Sequence, residues 1–401
     1  MIKRFERNTA FMLNNEMINS ITQEVIQNRR WLHENAELSF KELNTADYIE
    51  KKLREYGYTD IERPRPTAVV TNLHTGRPGK VIALRADIDA LPITETNGLP
   101  FASKNPGAMH ACGHDGHAAI LLGVAKYMRA NESSICGEIR FIFQHAEETP
   151  PGGGIELIKA GVMDGVDEVF GLHLTSVLET GKFGICYGPL TSATDRFNIL
   201  IQGKGGHSSM PQECVDPVVI AAQIILALQN IASRMVNPSD PFVLSVCEMQ
   251  AGSAYNIIPH TAALDGSVRS FTAETRRLAE ERIGKISQQI AAAYGSSVEY
   301  KYTKGYDSVY NAPELAAFAS EIVEQEFSKE AVVEMKPIMP GDDFGYYSQV
   351  CPGFFLQLGA ACKVKGITAP HHNPNYMMDE DALGLGLRYF CLLLNRRLEI
   401  R

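Results

Sequence analysis

Apolar positions recur along this chain with two periods, and the periods alternate. Ile18, Ile21, Val25 and Leu32 return at helical spacing with polar residues between them, which predicts an amphipathic helix over 18–32. Residues 45–56 read as a second helix, whereas Val81-Ile82-Ala83-Leu84 is a short, wholly apolar run, as in a strand buried on both faces. The same order then repeats. A helix over 118–128 opened by Asp115, a strand over 139–143, a glycine turn at 152–154, a helix over 155–160 and a strand over 169–172 follow in turn. Strands alternating with helices predict an α/β fold with a mostly parallel sheet covered on both faces. Ligands of such sheets gather at the carboxyl ends of strands, and Asp87, Asp89, Glu147, Glu148 and His173 all fall there.

From about residue 189 the pattern changes. Strands are predicted over 197–202, 242–249, 262–270 and 297–303, with a strongly apolar helix over 218–232 and a long helix over 275–294. This β-α-β-β-α-β order suggests a ferredoxin-like α+β domain inserted into the first one. A helix over 313–327, a strand over 353–358 and a helix over 380–395 return to the α/β pattern. The expected organisation is therefore two domains: an α/β-sandwich domain from residues 1–188 and 304–401, and an insertion over 189–303. A chain of 401 residues exceeds the size at which single cores usually stop growing, which agrees with two domains.

Composition narrows the partners. With 45% apolar and 21% charged residues the chain is of ordinary globular type, and its formal charge of −9 argues against a nucleic-acid or anionic-membrane surface. The longest apolar stretch, near 218–228, reads as too short for a membrane span. No apolar segment follows the basic residues at the start, so a cytoplasmic location is expected. The eight cysteines show no close paired spacing and read as reduced thiols.

Cys112 stands apart from the other cysteines. It lies in Met109-His110-Ala111-Cys112-Gly113-His114-Asp115-Gly116-His117, where a thiol and an imidazole two residues apart offer soft sulfur and nitrogen donors to zinc-like ions. Each element has a plainer reading when taken alone. Histidines near a helix start often cap or pack, the Glu147-Glu148 pair can be a solvated turn, and a single His173 can be a core residue. Jointly, Cys112, His114, Glu148, His173 and one of His371 or His372 suffice to surround two ions and leave positions for water, as catalytic rather than structural sites do. Gly203-Lys204-Gly205-Gly206-His207-Ser208 mimics a dinucleotide loop, but it lacks the third glycine and Pro211 interrupts the helix that should follow. Gly152–Gly154 lacks the lysine and hydroxyl of a phosphate loop. Both read as structural turns.

These residues resemble the M20 family of metallopeptidases, in particular the amidohydrolase branch of hippurate, N-acyl-amino-acid and auxin-conjugate hydrolases. The resemblance spans nearly the whole chain. It rests on Leu32-His33-Glu34 with Glu37-Leu38-Ser39-Phe40, Arg85 to Pro92, Met109 to His117, Ala146-Glu147-Glu148, Gly171-Leu172-His173, Gly205-Gly206-His207, Asn256-Ile257-Ile258-Pro259 and His372-Asn373-Pro374. It implies Cys112, His114, Glu148, His173 and His372 as ligands of two divalent ions (Zn, Mn, Ni or Co), with Cys112 in place of a bridging carboxylate. It implies Glu147 as general base, His207 at the substrate oxyanion, and Asn256 and Arg269 as substrate-binding residues. It also implies that the insertion serves as a lid and dimerisation domain of a homodimer, His207 in some relatives coming from the partner subunit. The implied reaction is hydrolysis of an N-acyl amino acid or short peptide. The alternatives are a dipeptidase or carboxypeptidase, an N-acetyl-diaminopimelate-type deacetylase, or a non-catalytic binding or redox-sensing relative. Departures from the pattern are His145 where relatives have Pro, Thr149-Pro150-Pro151 after the glutamates, Ala36 for Pro and Asp343 for Glu. None removes a ligand.

Overall fold

The computed structural model describes residues 13–398, and the expectation for the first few residues lies outside them. The chain divides into two units. One comprises Met1–Gly188, Tyr310–Lys336 and Tyr346–Arg401, and the other Pro189–Val309 with Pro337–Gly345. The second unit thus runs past residue 303 and takes in a further short segment. Backbone hydrogen bonds explain the extension: Thr194 N–H to Tyr306 O (3.0 Å), Gly305 N–H to Thr194 O (2.9 Å) and Leu190 N–H to Val309 O (2.8 Å) zip 305–309 onto residues 190–194, at and just before the first strand of that unit's sheet. Ser192 holds the added segment by donating through Oγ to Met339 O (2.6 Å).

The first unit is built on an eight-stranded sheet in the order Ile61–Glu62, Val69–His74, Glu138–Gln144, Val81–Asp87, Glu168–Glu179, Gly353–Ala361, Phe183–Ile185, Val332–Glu334. Its four central strands are parallel. The sheet as a whole is mixed, because Val69–His74 runs antiparallel to Glu138–Gln144 and Phe183–Ile185 antiparallel to Gly353–Ala361. Val69–His74 carries Thr71, Asn72 and His74 among its apolar residues, so no clear buried-strand pattern marked it. Helices Asn15–Glu34, His114–Ala130 and Asp381–Arg397 pack against one another. Gly123 lets them approach: a Cβ there would stand 2.4 Å from Val25 Cγ2 and 3.2 Å from Leu387 Cδ1.

Register sets up the site. Asp87 pairs with Gln144, so the two strands end level and the loops holding Asp89 and Glu147 leave the sheet side by side.

The second unit has a four-stranded antiparallel sheet in the order Val243–Ala251, Thr261–Ser270, Ala193–Gln202, Ser297–Lys304. Helices Pro217–Asn230 and Ala273–Ala293 supply Ile220, Ile224, Leu228, Ala279 and Ile283 to a core with Phe197, Ile199 and Leu264. Asp216 caps the first of these helices by accepting the Val218 N–H at 2.9 Å. That helix is longer than its apolar run suggested. A π-type turn at Ile231–Met235 extends it to 19 residues, long and apolar enough by length and composition to cross a membrane. Here one face packs on the sheet, while Val218, Val219 and Leu226 are exposed.

Candidate metal centre and active site

The Cys112 turn is set by Gly113, whose φ of 95° lies in the left-handed region and which precedes helix His114–Ala130. The helix start is tied down through buried Asp115, which pairs with Arg29 Nε and His33 Nδ1, each at 2.8 Å. Each imidazole near the turn is then sorted by its partners. His114 donates from Nδ1 to Asp89 O (2.9 Å) and Oδ1 (3.2 Å), which leaves Nε2, buried with no hydrogen-bond partner among the described residues, as the nitrogen that can ligate an ion once its proton is displaced. His173 donates from Nδ1 to Leu174 O (2.9 Å), leaving Nε2 3.5 Å from Cys112 Sγ. His117 is different. Its Nδ1–H goes to Asp87 (2.6 Å) and its Nε2 accepts the Leu174 N–H (2.8 Å), so neither nitrogen is left for a metal.

The structure also separates the His-His pair. His372, with φ of 61°, is docked by its N–H on Ala111 O (2.9 Å) and brings Nε2 to 3.2 Å from Glu148 Oε1. His371 instead accepts the Ser176 N–H on Nε2 at 3.1 Å. Burial, helped by His117 and His372, pulls His371 down to about 3 and keeps it neutral.

Among the groups of donors whose ligand atoms lie within 4.8 Å of one another are Cys112, His114 and His173, and Cys112, Glu148 and His372. Cys112 belongs to both. Glu147 is buried, and its carboxylate lies within the same distance of His114 and Glu148. Glu147 and Glu148 do not continue the strand, which ends at Gln144, because Ala146 takes φ of 52° and turns the chain.

The electrostatics fit a cation. Burial together with the charges of Glu148, Glu147 and Asp87 pushes the Cys112 thiol well up. Burial disfavours the His114 cation, but Asp87, Asp89 and Glu148 outweigh it and hold the group up at about 10. A thiol, imidazoles and a carboxylate converging around an unpartnered imidazole nitrogen form a donor set that divalent ions of the zinc type satisfy. Sequence reasoning gave no role to Asp87, Asp89, His117 or Ser39. The available signals were the Arg85–Pro92, Met109–His117 and Glu37–Phe40 motifs, which contain these residues.

His207, Asn256 and Arg269 belong to the second unit. Ile257 pairs with His207, and His207 and Asn256 line one open cleft of about 910 Å³ with Gly206, Ser253 and His260. Arg269 is not with them. It pairs with Thr194 and Val243, eight residues along its strand from Thr261 at the cleft, or roughly 26 Å at strand rise.

The model of peptidase family M20/M25/M40 matches residues 83–396. This chain belongs to the M20 family. It is 49% identical over 298 residues to an N-acyl-L-amino acid amidohydrolase of Geobacillus stearothermophilus, covering 74% of this chain and 80% of that protein. It is 41% identical over 380 residues to thermostable carboxypeptidase 2 of Saccharolobus solfataricus, covering 94% and 96%. The crystal structure of a dinuclear metal-binding M20 peptidase of Bacillus subtilis superposes with a TM-score of 0.83 at 37% identity, covering 95% of this chain and 99% of that one. M20 proteins are hydrolases of amide bonds, and the converging donor groups are the corresponding feature of this chain.

Proposed function

We propose that this protein is an amidohydrolase of N-acyl amino acids that works with two divalent ions held by Cys112, His114, Glu148, His173 and His372, Cys112 serving both. The observation that carries the reading is the membership of Cys112 in both donor groups, with Glu147 beside them. Ions bound there would lower the pKa of a water and polarise the amide carbonyl. Glu147 then takes the proton from the attacking water and delivers it to the leaving nitrogen, which would otherwise depart as a poor amide anion. The similarity to the Geobacillus amidohydrolase supports the N-acyl amino acid as substrate, and similarity to the Saccharolobus carboxypeptidase supports a peptide with a free carboxylate as the second reading. Zn, Mn, Ni and Co all suit this ligand set.

The inserted unit is read as a ferredoxin-like lid and dimerisation domain. The separation of Arg269 from His207 and Asn256 supports this: if all three serve one substrate, two subunits must contribute, Arg269 holding the carboxylate and the partner's His207 and Asn256 facing the oxyanion. The exposed apolar face of helix Pro217–Asn230 supplies a surface for pairing. A small-molecule partner, no nucleic-acid or membrane partner and a cytoplasmic setting complete the reading, supported by the negative charge and eight free cysteines.

The test is amine release from N-acetyl, N-benzoyl and longer N-acyl amino acids and from dipeptides, by chelated protein with and without each added metal. Metal-restored turnover that falls about 10²–10⁴-fold in Glu147→Gln, with metal content kept, is the expected result. Turnover untouched by chelation, or retained in Glu147→Gln, would overturn it.

A further inference from the structure

Residues 37–42, which begin with the Glu37–Phe40 motif and run on to Glu42, have no role in the scheme above, yet they bind to both sides of the site. Leu38 forms a parallel bridge with Ala90. Ser39 donates through Oγ to Asp89 Oδ2 at 2.7 Å, and the same oxygen accepts the Glu148 N–H at 3.0 Å. Glu42 is fully buried and accepts the Ala146 N–H on Oε1 at 2.8 Å, across 104 residues of sequence. Its Oε2 has no hydrogen-bond partner among the described residues. Its carboxyl group also draws the backbone N–H of Phe40.

Phe40 and Ala146 share an unusual conformation. Their φ angles of 65° and 52° lie in the left-handed region, which only one other non-glycine described residue, His372, occupies. Such a backbone costs an L-residue about 1–2 kcal/mol and persists only where the surroundings hold it. At Ala146 the turn has a consequence for chemistry. In a continuing strand Glu147 and Glu148 would point to opposite faces. After the turn, the Glu147 and Glu148 carboxylates both come within 4.8 Å of His114 and of each other, and that of Glu148 also meets Cys112 and His372.

We propose that Glu42 is a positioning residue for Glu147: its buried carboxyl group holds Ala146 in the left-handed turn that aims the base. The inference rests on Glu147 being the base. Burial and the Asp89 charge push Glu42 up to about 8, so near neutral pH it is largely the uncharged acid, whose carbonyl oxygen still accepts the Ala146 N–H. Glutamine reproduces that form and leucine does not.

The experiment uses metal-loaded full-length Glu42→Gln, Glu42→Leu, the double variant Glu42→Leu with Ala146→Gly, and Glu147→Gln. It measures kcat, KM, metal per chain and thermal midpoint on the same samples. Glu42→Gln is expected to stay within about threefold of wild type in kcat, and Glu42→Leu to lose on the order of 10²-fold in kcat with KM and metal content retained. Adding Ala146→Gly should recover about tenfold or more, because glycine takes positive φ without steric cost. The proposal is overturned if Glu42→Leu keeps kcat within about threefold, if it loses metal together with activity, or if Glu42→Gln falls as far. Should Glu42→Leu not fold, Ala146→Val in the intact chain decides: a β-branched residue resists positive φ, so kcat must fall with metal retained. Retained turnover in Glu147→Gln would instead remove the base assignment, an outcome separate from the Glu42 series.

Discussion

Asp89 holds His114 twice, through its backbone carbonyl at 2.9 Å and its Oδ1 at 3.2 Å, and so dictates which imidazole nitrogen faces the metal-ligand cluster. Its other oxygen, Oδ2, accepts the backbone N–H of Glu148. One buried carboxylate thus aligns ligands from a helix start and from a separate loop. Burial opposes its charge, but the His114, Glu148 and Ser39 hydrogen bonds hold it below the usual carboxylate range.

Asp89→Asn should therefore weaken metal binding without removing a ligand. An amide in place of Oδ2 presents a donor to the Glu148 N–H and can no longer accept from it. Orienting partners of this kind are worth about 10–100-fold in metal affinity. Equilibrium dialysis against a competing chelator measures this, and unchanged affinity would show that His114 and Glu148 hold their geometry unaided.

Gly113→Ala tests the turn that carries Cys112. With φ of 95° and a Cβ only 3.1 Å from Tyr376 Oη, alanine is both strained and crowded. A loss of about 1–3 kcal/mol of stability is expected, with weaker metal retention. Denaturant unfolding of the metal-free and metal-loaded variant provides the comparison, and a midpoint equal to wild type would contradict it.

Stability should depend on pH through Glu42. Its folded pKa of about 8 lies above the ordinary 4.5, so between these values the folded chain carries a proton that the unfolded chain has lost. Its contribution is full below the unfolded value and is lost as pH rises through the folded one, with a slope of at most about 1.4 kcal/mol per pH unit. Glu42→Gln removes this dependence. Urea midpoints of the metal-free proteins at several pH values from 5 to 9 should converge at the acid end and separate at the alkaline end, the variant being the more stable there.

The proposed sharing of each site between two subunits predicts complementation between inactive variants. In a mixture of His207→Ala and Arg269→Ala subunits, each mixed dimer has one site with an intact Arg269 and an intact partner His207. Statistical exchange then restores about a quarter of wild-type activity. Absence of recovery after verified subunit exchange would assign both residues to one subunit's site.

Much of the α/β arrangement was legible because apolar runs such as 81–84, 139–143 and 169–172 are buried strands whose own composition reveals them. The strand Val69–His74 was not, since polar residues interrupt its apolar pattern and its pairing comes from Glu138–Gln144, far along the chain. The extent of the inserted unit was obscured for a similar reason: residues 305–309 join it through hydrogen bonds to Thr194 and Leu190, which no local pattern records.

At the site, residue type and position already determined the available chemistry, because a thiol, imidazoles and carboxylates carry their donor properties wherever the fold puts them. Sequence alone placed Asp87, Asp89, Glu147, Glu148 and His173 near strand ends, although His173 lies within the strand Glu168–Glu179, and offered His371 and His372 as equals. Only the tertiary structure decided that His372 joins Cys112 and Glu148 while His371 accepts the Ser176 N–H, and that His117 is spent on Asp87 and Leu174. The reason is physical: which nitrogen of an imidazole keeps a free lone pair is set by what the other nitrogen binds. For His114 that partner is Asp89, 25 residues away in sequence and brought near by the fold.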